Sequence, residues 1–257
     1  MSILTLLTDF GLQDSYVGVM KGVIYGIAPT VQIVDLTHAI APQDIWGGRF
    51  HLATAVDYFP RSSVHVGVVD PGVGTARRAI AFRTEQGYFV GPDNGLLVLD
   101  CPIQEAVVLD QPKVWRSPSA SATFHGRDIF AAVGAHLTLS KSLHQVGTAI
   151  DPQTLVRLPA VPAASASHLI QAIDHFGNCI TTINGKELPS GWRVQVKSQV
   201  VTEVRTYGEA PNGTLVALVG SHGFVELAIV GGDARSVLNL QVGSPVQCVA
   251  FDGRMEH

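Results

Sequence analysis

Asp70 and Arg77 stand seven residues apart across a glycine-relaxed loop, in the stretch VHVGVVDPGVGTARRAIA that runs from Val64 to Ala81. An aspartate at the carboxyl end of a strand, with an arginine seven positions later across a tight loop, can point both groups at one small volume. The alternating β-branched run Val64, Val66, Val68 and Val69 reads as a buried strand. Asp70-Pro71-Gly72 reads as the turn that ends it. In open α/β sheets ligands bind outside the carboxyl ends of strands, so the pair sits where chemistry is expected. Spacing alone leaves two readings open: a catalytic pair, or a structural ion pair of the common, weak kind. His125, a single histidine before Gly126 in a polar loop, is open in the same way between catalysis and packing.

Other chemistries leave fainter traces. Gly72 and Gly74 lack the third glycine of a dinucleotide loop, because Arg77 takes that place, and no Gly-Lys-Ser/Thr follows. Asp9, Asp14, Asp35, His38, Asp44, Asp70 and Asp93 all fall at or near loop ends, and clustered carboxylates attract hard cations. Yet the set has neither His-x-His nor His-Glu-x-x-His spacing, and an arginine beside Asp70 competes for the carboxylate. No metal is assigned. A formal net charge of −4 without any run of Lys and Arg argues against a nucleic-acid partner. Cys101, Cys179 and Cys248 are far apart and without ligand spacing, which reads as small core side chains in a reducing compartment. The first apolar run stops at Asp9, too short for a signal peptide or a membrane span. The expectation is a cytoplasmic protein with no membrane partner.

The elements that must position these residues follow from periodicity. Ile3–Leu7 and Gln32–Leu36 read as strands, so Asp9, like Asp70, stands at a strand's end. Asp14 or Ser15 is placed to cap a helix with apolar spacing at Val17, Met20, Val23, Ile24 and Ile27. A second helix is predicted over Ile45 to Tyr58, with Trp46, Phe50, Ala53 and Val56 as its core stripe. Strand and helix alternation implies right-handed crossovers and a largely parallel sheet. Ala79–Thr84 and Gly87–Val90 form a predicted hairpin, Ala106–Leu109 a further strand, and Ile129–Leu137 a helix after the FHGRD stretch. The small, proline-containing, uncharged segment 159–167 reads as a linker between an α/β domain, 1–158, and a second domain, 168–257. That second part carries seven short, evenly spaced β-rich runs, the texture of a small β-barrel or sandwich. With 46% hydrophobic and 15% charged residues the chain can bury a sizeable core.

Six motifs then occur in one order: TDFG at 8–11, KG at 21–22, VDPGVGT at 69–75 with Arg77, GPDNGLL at 91–97, FHGRDIF at 124–130 and IDHFGN at 173–178. Together they resemble the S-adenosyl-L-methionine hydroxide adenosyltransferase family, adenosine-forming hydrolases related to the fluorinase and chlorinase enzymes. The resemblance spans nearly the whole chain. It implies an N-terminal three-layer α/β domain, a C-terminal β-barrel that binds adenine, and a homotrimer with each site at a subunit interface. The implied reaction is attack of water on the 5′-carbon of S-adenosyl-L-methionine, with the small molecule as substrate, water as co-substrate and no cofactor.

Residue by residue, the resemblance puts Asp70, Arg77 and His125 on the catalytic trio and Asp9 on the ribose hydroxyls. It puts Asp14 at the methionine amino group and Asp174 near the methionine end. Phe176 and Asn178 match the adenine contacts, while Ser221, Glu226 and Ile229 line the remaining pocket. Halogenases of the same lineage carry tyrosine at position 70 and serine at 126; this chain has Asp70 and Gly126, the hydrolase pattern. Departures from the family stretch fall at His222, Phe224 and Val230, outside the trio. The alternatives are a chloride-using halogenase, a non-catalytic adenosine-binding or S-adenosyl-L-methionine-binding protein, and a metal-dependent phosphatase.

Overall fold

A computed structural model describes residues 2–159 and 168–250. The chain divides into two compact units, Met1–Leu158 and Pro159–His257. From residue 160 on, the expected linker lies outside the described residues.

The first unit begins with β1 (Ile3–Thr8), α1 (Tyr16–Ile27), β2 (Gln32–Thr37), α2 (Ile45–Ala53) and β3 (Val64–Val68). It continues through β4 (Ala79–Thr84), β5 (Gly87–Pro92) and β6 (Glu105–Val108) to α3 (Ala132–Ser140) and β7 (Thr148–Ile150). Seven strands make one sheet in the order β2-β1-β3-β5-β4-β6-β7. β2, β1, β3 and β5 pair in parallel. β4 runs against β5 and β6, and β7 runs against β6. Five strands therefore share one direction.

Alternation along the strands feeds two cores, one on each face of the sheet. Leu4, Leu6, Val66 and Val68 pack with Met20 and Ile24 of α1 and Val133 and Leu137 of α3. Leu7, Phe82 and Phe89 face the other way, onto Leu52 and Val56. That is a three-layer α/β arrangement. The second predicted helix is shorter than its pattern: α2 ends at Ala53, and a separate 3-10 turn covers Val56–Tyr58. Trp46 leaves the expected stripe and is 42% exposed, because Gly47, Gly48, Phe50 and Leu52 supply the buried face.

His65 on β3 is fully buried between Phe59 and Phe89, with Nδ1 2.9 Å from Thr5 Oγ1. Burial pushes its pKa down to about 4, against a smaller opposing pull from the Gln86 backbone. Between the unfolded value near 6.5 and the folded value, the unfolded chain binds more protons, so stability falls as pH drops through that window. Urea unfolding at pH 7 and pH 4.5 should differ by about 2 kcal/mol more in the parent than in His65→Leu. Equal acid losses in the two proteins would remove His65 as the cause.

The second unit comprises β8 (His168–Ile173), β9 (Cys179–Asn184), β10 (Trp192–Val196) and β11 (Gln199–Thr202), then β12 (Leu215–Val219), β13 (Phe224–Ile229), α4 (Ala234–Leu238) and β14 (Pro245–Ala250). Its sheet runs β11-β10-β14-β8-β9-β13-β12, antiparallel throughout. A parallel bridge between Glu203 and Ala217 brings the two ends of that ribbon together, so the barrel is nearly closed. Its interior is one apolar cluster that includes Val194, Val225, Leu227 and Leu238.

Candidate active site

The parallel register Leu4↔Val64 through Thr8↔Val68 places Asp9 and Asp70 just beyond the carboxyl ends of neighbouring strands. Asp70 receives Arg77 as a fork: Nε donates to Oδ1 at 2.9 Å and Nη2 donates to Oδ2. The same Nη2 also donates to His125 Nδ1 at 2.8 Å. Arg77 lies over the Phe130 ring, 5.3 Å from its centroid. The side chains of Asp70 and Arg77 are 5% and 10% exposed, so this ion pair is held away from bulk water.

The trio's protonation pattern follows from donor counting. Arginine has only donors, so His125 Nδ1 must accept and the ring carries its proton on Nε2. Burial and the Arg77 charge both push the His125 pKa down, with weaker upward pulls from Asp70 and Asp128. His125 is therefore neutral, and Asp70 is the anionic acceptor of the group.

Two loops must meet for this contact to exist. Gly74 has φ +76°, and a Cβ built there would fall 2.4 Å from Ala122 O, three residues before His125. The 70–77 loop thus touches the His125 loop backbone to backbone. From the far side, Asp128 is almost fully buried and takes the Arg127 fork at 2.6 and 2.7 Å and Ser121 N–H at 2.8 Å. These bonds tie the 121–128 segment to a π-helical turn, Gly126–Ala131, that runs on into α3. Phe10, Tyr16 and Phe124 close the third side with edge-to-face contacts at 5.3 to 5.9 Å. A β-carbon at Gly126 would stand 3.4 Å from both Phe10 and Phe124. Neither Asp128 nor this aromatic cluster was legible as part of the site, although FHGRD held both Phe124 and Asp128.

The adjacent arginine does different work. Arg78 Nε donates to Asp93 Oδ2 at 2.7 Å and Nη1 to Thr154 Oγ1 at 3.0 Å, clamping the 151–156 segment to the sheet. Other members of the acidic set are likewise engaged: Lys21 meets Asp35 at 2.6 Å, and Asp44 caps α2 through Gly47 N–H at 2.9 Å. No group of three His, Cys, Asp or Glu converges as a metal site among the described residues. Asp9 Oδ2 accepts Gln43 N–H at 2.8 Å, and Asp14 is exposed on the loop before α1. Among the described residues, no hydrogen bond joins either to the trio.

The remaining six predicted residues come together in the second unit. Asp174, Phe176, Asn178, Ser221, Glu226 and Ile229 all line one groove of about 770 Å³, a volume typical of small-molecule sites. Asp174 shapes it: Oδ1 accepts Phe176 N–H and Asn178 N–H at 2.9 Å each, and Oδ2 accepts Asn178 Nδ2 at 2.9 Å. That turn leaves the Phe176 ring 74% exposed while Asn178 is buried. Tyr207 and His222, absent from the sequence expectation, also line the groove.

Residues 4–147 match the SAM hydroxide adenosyltransferase N-terminal domain, and residues 168–247 match the SAM hydroxide adenosyltransferase C-terminal domain. An (R)-S-adenosyl-L-methionine hydrolase of Thermus thermophilus is 42% identical over 94% of this chain and 97% of that protein. A fluorinase of an Actinoplanes species is more distant, at 27% identity over 95% of this chain and 96% of that protein. The crystal structure of an uncharacterized conserved protein from Thermotoga maritima has a TM-score of 0.88 at 34% identity, covering 95% of this chain and 99% of that one. The chain belongs to the SAM hydroxide adenosyltransferase family.

Proposed function

We propose that the protein hydrolyses S-adenosyl-L-methionine to adenosine and L-methionine by attack of water on the ribose 5′-carbon. The observation that carries this reading is the half-buried, hydrogen-bonded Asp70–Arg77–His125 trio at a strand rim. The water oxygen forms the new C5′–O bond as the C5′–S bond breaks and its electron pair returns to sulfur, giving the neutral thioether of methionine. A sulfonium leaves without protonation, so the weak partner is water. Asp70 orients that water and accepts its proton on the way to solvent, Arg77 stabilises hydroxide character, and neutral His125 holds the guanidinium in place. No cofactor is needed for these steps.

The other assignments rest on the family resemblance. Asp9 clamps the ribose, Asp14 meets the methionine amino group, and Asp174 lies toward the methionine end. Phe176 and Asn178 contact adenine, with Ser221, Glu226 and Ile229 in the pocket wall. We propose domains at 1–158 and 168–257 joined by a linker, and a cytoplasmic homotrimer in which two subunits complete each site. The trimer rests on the family resemblance, and light scattering should give three times the chain mass.

A halide nucleophile would face the Asp70 carboxylate, which is repulsive. Incubation of S-adenosyl-L-methionine with the purified protein, with and without high chloride, should give adenosine and methionine in equal amounts. Asp70→Ala should abolish both products. Chlorodeoxyadenosine would move the assignment to halogenase, and bound adenosine without turnover would make the protein a binder.

A further inference from the structure

Residues 69–78 join β3 to β4, yet β5 stands between those two strands in the sheet. The loop that carries Asp70 and Arg77 therefore passes over the carboxyl end of β5, where the chain continues as Asp93-Asn94-Gly95. The reaction above gives these residues no role.

Both ends of the crossing are held by that turn. At the outgoing end, Val69 is fully buried, one residue beyond β3 and past Val66↔Val90, the last pair that β3 makes with β5. A buried carbonyl there needs a donor from outside the ladder. Asn94 Nδ2 supplies it, donating to Val69 O at 2.8 Å. The orientation of the carboxamide is fixed, because its Oδ1 accepts Leu96 N–H at 3.1 Å. At the returning end, Asp93 N–H donates to Arg78 O at 3.0 Å, and Arg77 Nη1 donates to the same oxygen at 3.3 Å. The two ends are held by unlike means. Asp93 N–H extends the β4–β5 ladder one step beyond Ala79↔Pro92, as any backbone would. The bond to Val69 is made by a side chain and depends on residue type.

We infer that Asn94 is a positioning residue for the trio: its carboxamide fixes the Val69 carbonyl, and with it the direction in which Asp70 leaves β3 to meet the Arg77 fork. This rests on the trio being catalytic as proposed above. The Val69 carbonyl and the Asp70 N–H belong to one planar peptide, so holding the oxygen sets the plane from which Asp70 departs. A tilt of that plane is carried out along the side chain to the carboxylate. An ionised aspartate at 94 would keep the acceptor for Leu96 N–H and lose the donor for Val69 O, whereas alanine would lose both.

The test uses the full chain as parent, N94A, N94D and T154V, with S-adenosyl-L-methionine turnover and urea unfolding measured on each. T154V removes the hydroxyl that Arg78 Nη1 reaches at 3.0 Å and leaves the bond to Val69 alone, so it controls for loosened packing. Both Asn94 variants should lower kcat about thirtyfold with KM within about threefold, because a misplacement of about an ångström can cost about a hundredfold. T154V should keep kcat within about twofold of the parent. Parent-like kcat in either Asn94 variant, or an equal loss in T154V, would overturn the inference. Hydrogen exchange of the Arg77 Nε proton, followed by ¹⁵N NMR, reads the position without substrate. Bonded to Asp70 Oδ1 at 2.9 Å, that proton should be protected in the parent and in T154V, and should exchange about tenfold faster in N94A. Equal protection in N94A would also overturn the inference. A parent without turnover would sink the functional reading, and the Nε proton would still decide the positioning. Should N94A fail to fold, N94D keeps the bond to Leu96 and decides alone by the same two readouts.

Discussion

Replacing Arg77 by alanine is expected to lower kcat about a thousandfold while changing KM less than about threefold. The guanidinium touches both other members of the trio, so its loss acts three ways. The field that stabilises hydroxide character disappears from a site shielded from bulk water. Asp70, 5% exposed in its side chain, is left a carboxylate without its cation, which costs about 3 kcal/mol of stability. His125 loses the contact at 2.8 Å that fixes its tautomer, and with it one of the causes holding its pKa down. That last effect has a sign. The His125 ring of Arg77→Ala should take up its proton at higher pH than in the parent, read by imidazole NMR, because one of the downward causes is gone. Arg77→Lys separates charge from geometry: it keeps the cation but cannot make the fork, so it should recover only a small part of the loss. Parent-like kcat in Arg77→Ala would contradict the hydroxide-stabilising role, and a melting curve on each variant excludes unfolding as the reason for inactivity.

Gly74→Ala is expected to cut kcat about a hundredfold and to remove about 2–4 kcal/mol of stability, although residue 74 has no functional group. Its φ of +76° is strained for any side chain, and the added methyl would fall 2.4 Å from a backbone oxygen at Ala122, which cannot swing aside as a side-chain end could. The collision is relieved only by separating the 70–77 loop from the loop that carries His125. Arg77 Nη2 spans that gap to His125 Nδ1 at 2.8 Å, so even a shift of about an ångström breaks the contact. Steady-state kinetics and urea unfolding measured together test this. Lost stability with intact turnover would mean that the two loops need not touch for catalysis.

The catalytic half was legible because each cue was local. β-branched alternation marked β3, Asp70-Pro71-Gly72 marked its end, and the strand-rim rule turned Asp70 and Arg77 from an ion pair into a candidate. The functional assignment itself came from the six motifs read together as a resemblance. What stayed hidden depended on contacts between distant segments. Gly74 reads as loosening a loop, but its approach to Ala122 links positions 48 residues apart with no shared period. Asp128 stood inside a noted motif, yet its burial under Arg127 and Ser121 arises only when the 121–128 segment folds back. Helical spacing puts Trp46 in the core, whereas Gly47, Gly48, Phe50 and Leu52 supply the buried face of α2 and the indole is exposed. The hydrogen bond from the Tyr207 hydroxyl to Glu226 joins residues 19 apart, and a tyrosine in a polar loop gives no sign of such a partner.

The most direct measurement of the central claim is isotopic. Turnover of S-adenosyl-L-methionine in H₂¹⁸O should place one ¹⁸O atom on the 5′-hydroxyl of adenosine and none in methionine, read by mass spectrometry of both products. Unlabelled adenosine, or no adenosine at all under conditions where the chain is folded, would contradict attack of water at C5′.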